Sequence, residues 1–122
     1  MEKIYITWDD ITKYIDAVVE DIKKRDLKPT GVYGLPRGGL IMATLLSYKL
    51  DIPLLMHAAE GCIIIDDIAD TGRSLYHFRD NRTQFNTYYV TTMHFVNDSL
   101  VVPDFYYKEK KVGDWIVYPW EN

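Results

Sequence analysis

Four consecutive apolar residues, Cys62-Ile63-Ile64-Ile65, run straight into two carboxylates, Asp66 and Asp67. A short apolar run without alternation suits a strand covered on both faces, as in a parallel sheet flanked by helices. The change to acid is expected to mark the end of that strand at a polar sheet edge. Just beyond, Asp70-Thr71-Gly72-Arg73-Ser74 brings glycine, hydroxyls and free backbone N–H groups to an apparent helix start, the outline of an anion site. The chain is therefore constrained to an α/β class with its chemistry at one edge of a mainly parallel sheet.

The flanking pattern supplies the other layers. Thr7 and Asp10 have capping-box spacing, and Ile11, Tyr14, Ile15, Val18, Val19 and Ile22 make one apolar stripe of a helix running to about Arg25. Residues 31–34 read as a short strand. Leu35-Pro36-Arg37-Gly38-Gly39 then turns into an apolar helix over 40–50. A strand is expected over 54–57, a tight link over 58–61 and the acid-tipped strand over 62–65, the link being too short for a helical crossover. A helix from Gly72 is expected to pass Leu75, Phe78 and Arg79 and stop at Asp80-Asn81-Arg82. Residues 88–95 form the next strand, 105–107 a last short one, and 108–114 a polar loop before a C-terminal segment at 115–121.

At 122 residues the chain suits a single domain, 1–122. Its net charge of −4 and its two basic clusters, Lys23-Lys24-Arg25 and 108–111, lack the interleaved aromatics of a nucleic-acid groove. The lone cysteine, Cys62, rules out an internal disulfide and suits a reducing compartment. No apolar signal region opens the chain and no apolar run reaches membrane-spanning length. The expectation is a soluble cytoplasmic protein that binds neither membrane nor nucleic acid.

Each of two strands ends in a glycine-containing turn that opens a helix, at 34–39 and at 67–74. On a parallel sheet both turns lie at one edge, so two anions can be held side by side. The first turn offers close backbone approach and the charge of Arg37; the second adds the hydroxyls of Thr71 and Ser74. Neither is a Walker A loop or a dinucleotide fingerprint. Between them, Asp66 and Asp67 would be repelled by phosphate unless a hard cation or hydroxyl donors intervene; Mg²⁺ and ribose hydroxyls meet both conditions.

The stretch Ile63-Ile64-Ile65-Asp66-Asp67-Ile68-Ala69-Asp70-Thr71-Gly72-Arg73-Ser74-Leu75 resembles the phosphoribosyl-pyrophosphate motif of type I phosphoribosyltransferases. Leu35-Pro36-Arg37-Gly38-Gly39 is similar to that family's pyrophosphate loop. Thr7-Trp8-Asp9 and Trp115-Ile116-Val117-Tyr118-Pro119-Trp120-Glu121 resemble its xanthine-guanine branch, so the resemblance spans nearly the whole chain. It implies a three-layer fold, a mainly parallel sheet flanked by helices under a reduced hood. Asp66 and Asp67 would bind the ribose hydroxyls, partly through Mg²⁺, and Thr71, Gly72, Arg73 and Ser74 would wrap the 5′-phosphate. Arg37 with the backbone of Pro36, Gly38 and Gly39 would hold pyrophosphate, often through a cis peptide. Asp70 would accept a proton near the purine imidazole, Trp115 would stack on the base, and the backbone of Ile116 would read its edge.

Two departures stand out. Where relatives carry a long mobile loop between the second and third strands, only Ala58-Ala59-Glu60-Gly61 is present, which predicts slower transfer or more hydrolysis unless a neighbouring subunit covers the site. Where the purine branch places a lysine and a proline after the fourth strand, Val96 and Asn97 stand. His94 is the nearest polar side chain, and a strand histidine is more simply a hydrogen-bonded one. Tyr88, Tyr89, Tyr106 and Tyr107 read as sheet and interface packing, and Trp120 as structural. The resemblance implies transfer from phosphoribosyl pyrophosphate to a purine-like nucleobase in a homodimer or homotetramer. The rivals are a non-catalytic sensor that keeps the ligand site and an interaction protein with a remnant site.

Overall fold

The isoleucine run forms a buried strand, but the strand does not stop at the acids. In a computed structural model, which describes residues 2–70, 72–76 and 88–121 and only the backbone of Arg73 and Ser74, the elements follow in order. They are β1 (Lys3–Tyr5), α1 (Trp8–Lys24), β2 (Val32–Gly34), α2 (Gly38–Leu50), β3 (Ile63–Ala69), α3 (Arg73–Tyr76), β4 (Tyr89–Phe95), β5 (Phe105–Glu109) and β6 (Trp115–Val117). Pairing with β4 carries β3 past the carboxylates: Asp66 lies opposite Thr92, and Ile68 opposite His94. Asp66 and Asp67 are thus half-buried strand residues rather than residues beyond an exposed strand end.

β2, β3, β4 and β5 form a four-stranded sheet in that order, with every neighbouring pair parallel. Alternation along β3 divides its side chains between two cores. Ile63 and Ile65 join Ile11, Tyr14, Ile15, Val18, Met42 and Leu46 on the α1–α2 face, while Cys62 and Ile64 meet Leu75, Val90, Phe95 and Val101 on the other. All three isoleucines are fully buried; each contributes roughly 1.5–3 kcal/mol, which makes β3 the axis of the molecule. The α1 stripe is likewise buried at Ile11, Tyr14, Ile15, Val18 and Ile22, and Thr7 and Asp10 form the reciprocal capping box.

Three expectations need correction. Residues 54–57 make only an isolated bridge, Val32 to Leu54. After Leu55 N donates to Val32 O at 2.8 Å, the chain turns back to the start of β2, where Gly61 O accepts from Thr30 N at 3.1 Å. α2 begins two residues early, at Gly38, and β5 takes in Lys108 and Glu109, which the sequence assigns to a loop. Of the helix expected after Gly72, Arg73–Tyr76 is present; Phe78, Arg79 and the stop at Asp80-Asn81-Arg82 lie outside the described residues, as does Thr71. The C-terminal segment forms β6, which pairs parallel with β1, Ile4 opposite Ile116, as a separate two-stranded hood. Among the described residues no helix is long and apolar enough to cross a membrane.

Candidate active site

Because β2 and β3 are parallel, with Gly34 opposite Ile65, the turns that follow them open at the same sheet edge. Leu35 N donates to Ile65 O at 3.0 Å and draws the first turn against β3. There the glycines are required by space. A Cβ on Gly39 would stand 2.5 Å from Ile65 O, and one on Gly38 would collide with the Asp67 carboxylate. The backbone of this loop therefore lies directly on the acidic pair, and the Pro36–Arg37 peptide within it is cis. Arg37 is the N-cap of α2 and its side chain makes no capping hydrogen bond, so the first N–H groups of the helix are available to an anion.

A cavity of about 290 Å³ is lined by Pro36, Arg37, Gly38, Asp66, Asp67, Asp70 and Gly72. A second, about 460 Å³, lies between Asp67, Ile68 and Asp70 on one side and Lys110, Trp115, Ile116 and Tyr118 on the other. A third, about 580 Å³, runs from Arg37, Gly38 and Asp67 to Trp120 and Glu121. Asp67 borders all three, and Asp70, exposed at the rim, borders the first two. A further cavity of about 480 Å³, beside Arg25, Gly61 and Tyr89, opens at the strand starts, away from these groups.

Burial, together with the neighbouring charge of Asp67, pushes the Asp66 carboxyl up to about 8. Burial also raises Asp67, with a further push from Glu121. Asp67 N donates to Asp66 Oδ1 at 2.9 Å, which does not offset the desolvation of Asp66. Such a pair is stabilised by positive charge or hydroxyl donors. Among the described residues no cluster of three or more His, Cys, Asp or Glu encloses a metal. A cation here would have two carboxylates and would draw its remaining ligands from a bound molecule, which suits Mg²⁺ on a polyphosphate.

The sequence-derived site residues divide as follows. Pro36, Arg37, Gly38, Asp66, Asp67, Asp70 and Gly72 meet at one cavity, with Gly39 packed against Ile65 and Asp66. Trp115 and Ile116 face the adjoining one, and Lys3 Nζ lies 4.2 Å from the Trp115 ring centroid. Val96 is fully buried and its N–H is bonded to Ala69 O, so it offers the cavity nothing.

Tyr118 is the member that sequence reasoning missed. Its hydroxyl donates to Asp67 O at 3.0 Å, and His94 Nδ1 lies 2.9 Å from the same oxygen. With its one proton given to Asp67, Tyr118 accepts from His94, so Nδ1 carries the hydrogen. Burial, aided by Lys108 and Lys110, pushes His94 down to about 4, so the ring is a neutral strut rather than a ligand-reading group. Tyr118 also stacks on Trp120 at 5.1 Å, and Trp120 lies against Gly38. The hood is thereby tied to both site turns. Tyr118→Phe leaves a buried carbonyl and a buried N–H unpaired and should cost about 2 kcal/mol of stability. Thermal denaturation checks this, and an unchanged melting temperature contradicts it.

No family model matches the chain. It is 22% identical to a xanthine-guanine phosphoribosyltransferase of Chromohalobacter salexigens over 142 residues, spanning 98% of this chain and 85% of that one. A purine phosphoribosyltransferase structure from Pyrococcus horikoshii matches with a TM-score of 0.82 and 27% identity, over 100% of this chain and 95% of that one. The fold also matches a Helicobacter pylori xanthine-guanine-hypoxanthine phosphoribosyltransferase, with a TM-score of 0.80 and 17% identity over 98% and 94%. A parallel sheet with a glycine loop laid on an acidic pair accompanies these full-length likenesses, which make the chain similar from end to end to purine and xanthine-guanine phosphoribosyltransferases.

Proposed function

We propose that this protein transfers a phosphoribosyl group from phosphoribosyl pyrophosphate to a purine-like nucleobase, releasing pyrophosphate, as in nucleotide salvage. The observation that carries this reading is the shared wall of Asp67 and Asp70 between the cavity of the two anion turns and the cavity of Trp115 and Ile116. A sugar spanning that wall would have its phosphates on one side and its incoming base on the other.

Displacing pyrophosphate from the anomeric carbon builds positive charge on the sugar and negative charge on the leaving group. Arg37 and the N–H groups at the start of α2 would hold the leaving diphosphate. Gly72, Arg73, Ser74 and Thr71 would surround the 5′-phosphate, and Asp66 and Asp67 would meet the ribose hydroxyls and the cationic sugar. When bound, Mg²⁺ would neutralise diphosphate charge beside Asp66 and Asp67. Trp115 would stack on the base, while Asp70 would accept its imidazole proton.

The test is pyrophosphate release with Mg²⁺, phosphoribosyl pyrophosphate and a panel of hypoxanthine, guanine, xanthine, adenine and pyrimidines. Release with a purine supports transfer; ligand binding without release from any base removes it. That second outcome is the non-catalytic sensor, which one observation favours: residues 55–61 return to the start of β2 instead of reaching over the site. Assembly as a homodimer or homotetramer, in the cytoplasm, belongs to the same proposal. Leu45 and Tyr48, the latter 83% exposed on α2, offer an apolar contact for it.

A further inference from the structure

We infer that the cavity of about 480 Å³ at the strand starts is a second ligand site, built for a small organic monocarboxylate with an apolar body. It lies at the sheet edge opposite the acidic pair. Ile63 lines it, and Asp67 stands four residues further along β3, about 13 Å away. The site draws nothing from the proposed transfer.

The walls are apolar and already in place. Ile22, Leu27, Pro29, Ile63 and Tyr89 surround the space, which the loop after α1 borders. Leu27 N donates to Ile22 O at 3.1 Å and ties the start of that loop to the helix. Its far end is pinned to the turn before β3, where Thr30 N donates to Gly61 O at 3.1 Å and Thr30 Oγ1 to Glu60 O at 2.9 Å. Gly61 turns the chain there with a φ of +77°, a conformation that favours glycine. A cavity of this size, with mostly apolar walls, a few polar groups and a preset rim, has the make-up of a small-molecule site.

Charge fixes the chemistry of the ligand. Arg25 Nε donates to Asp21 Oδ2 at 2.8 Å and Nη2 to Asp104 O at 2.7 Å, which holds the guanidinium 5.6 Å from the Tyr89 ring centroid. Two of its five N–H donors are thereby used, and the half-exposed group has others to offer an anion. Lys28 adds a second cation to the lining, and Asp104 is the one acid among the described lining residues. Asp104 Oδ2 accepts from Val90 N at 2.8 Å, and Asp21 also takes the Tyr89 hydroxyl at 2.7 Å, so both carboxylates are engaged by the fold. Because Asp21 offsets part of the Arg25 charge, the site suits one negative charge rather than a phosphate dianion, and a carboxylate matches the guanidinium fork. An apolar body without the anion would fill the walls and leave those donors unpaired.

Amide NMR titration of the intact protein with 3-phenylpropionate and its neutral analogue 3-phenylpropanol tests this. The acid should bind saturably at about 1 mM or tighter, shifting the amides of Ile22, Gly61, Ile63 and Tyr89, and the alcohol should bind roughly tenfold or more weakly. Arg25→Met should remove the difference between the two. Leu27→Trp, which leaves the Arg25 bonds intact and fills the cavity from a partly exposed position, should abolish binding of both with the melting temperature kept; this variant decides alone if Arg25→Met does not fold. No saturable binding, equal affinity for acid and alcohol, a difference that survives Arg25→Met, undiminished binding to Leu27→Trp, or shifts centred on Arg37 to Gly39 overturns the inference. The transfer reading is judged separately, since none of these measurements uses phosphoribosyl pyrophosphate.

Discussion

Asp70→Asn is expected to lower turnover roughly 10²–10⁴-fold while phosphoribosyl pyrophosphate still binds. Asp70 stands exposed at the rim shared by the two cavities, where a base entering beside Trp115 would approach a sugar held by Asp66 and Asp67. Asparagine keeps the size and polarity of the side chain but cannot take up a proton, so the loss should fall on kcat rather than on sugar-phosphate affinity. The backbone from Gly72 onward, proposed to face the 5′-phosphate, and the Arg37 loop are untouched by the change. Single-turnover kinetics beside calorimetry separates the two effects. Turnover within about threefold of wild type would remove Asp70 as proton acceptor, and a matching loss of phosphoribosyl pyrophosphate affinity would make it a binding residue instead.

What the sequence revealed depended on how local the physics was. The isoleucine run and the Thr7–Asp10 box act over a few residues, so β3 and the start of α1 were legible. Continuation of β3 through Asp66 and Asp67 was not, because it is dictated by hydrogen bonding to β4, more than twenty residues away in the chain. Residues 54–57 have strand composition but gain only one bridge at the sheet edge, and propensity without a partner does not make a strand. β1 is three exposed residues and carries no periodicity; it exists because β6 returns to pair with it.

The site shows the same division. The glycines, Arg37 and the acid cluster were readable because short turns and charge are written contiguously. Trp120 read as structural; it stacks on Tyr118, lies against Gly38 and also lines the cavity shared with Arg37 and Asp67. Tyr118 gave no signal, since its meaning lies in contacts with Asp67 and His94 that only the folded chain brings together.

The unliganded protein should lose stability as pH rises from about 4 to about 8, and Asp66→Asn should remove much of that loss. The sign follows from Asp66, whose carboxyl is raised by burial and by Asp67 from an ordinary value near 3.8 to about 8. Across that window the folded state holds a proton that the unfolded chain has released, so unfolding becomes easier with each unit of pH and levels off above 8. The displacement corresponds to at most about 6 kcal/mol, which solvent access to the half-buried carboxylate brings down to roughly 2–3 kcal/mol. At pH 8, Asp66→Asn should therefore melt roughly 5–10 °C above wild type, with little difference near pH 4.5. Phosphoribosyl pyrophosphate with Mg²⁺ should reverse the order, stabilising the wild type strongly and the variant little, because the charge that strains the free fold is the one the ligand would meet. Parallel pH profiles for the two proteins would show that Asp66 ionises freely, and equal stabilisation by ligand would detach it from the sugar site. The acidic pair is thus read as stored charge, destabilising in the free protein and compensated when ribose hydroxyls and cation arrive.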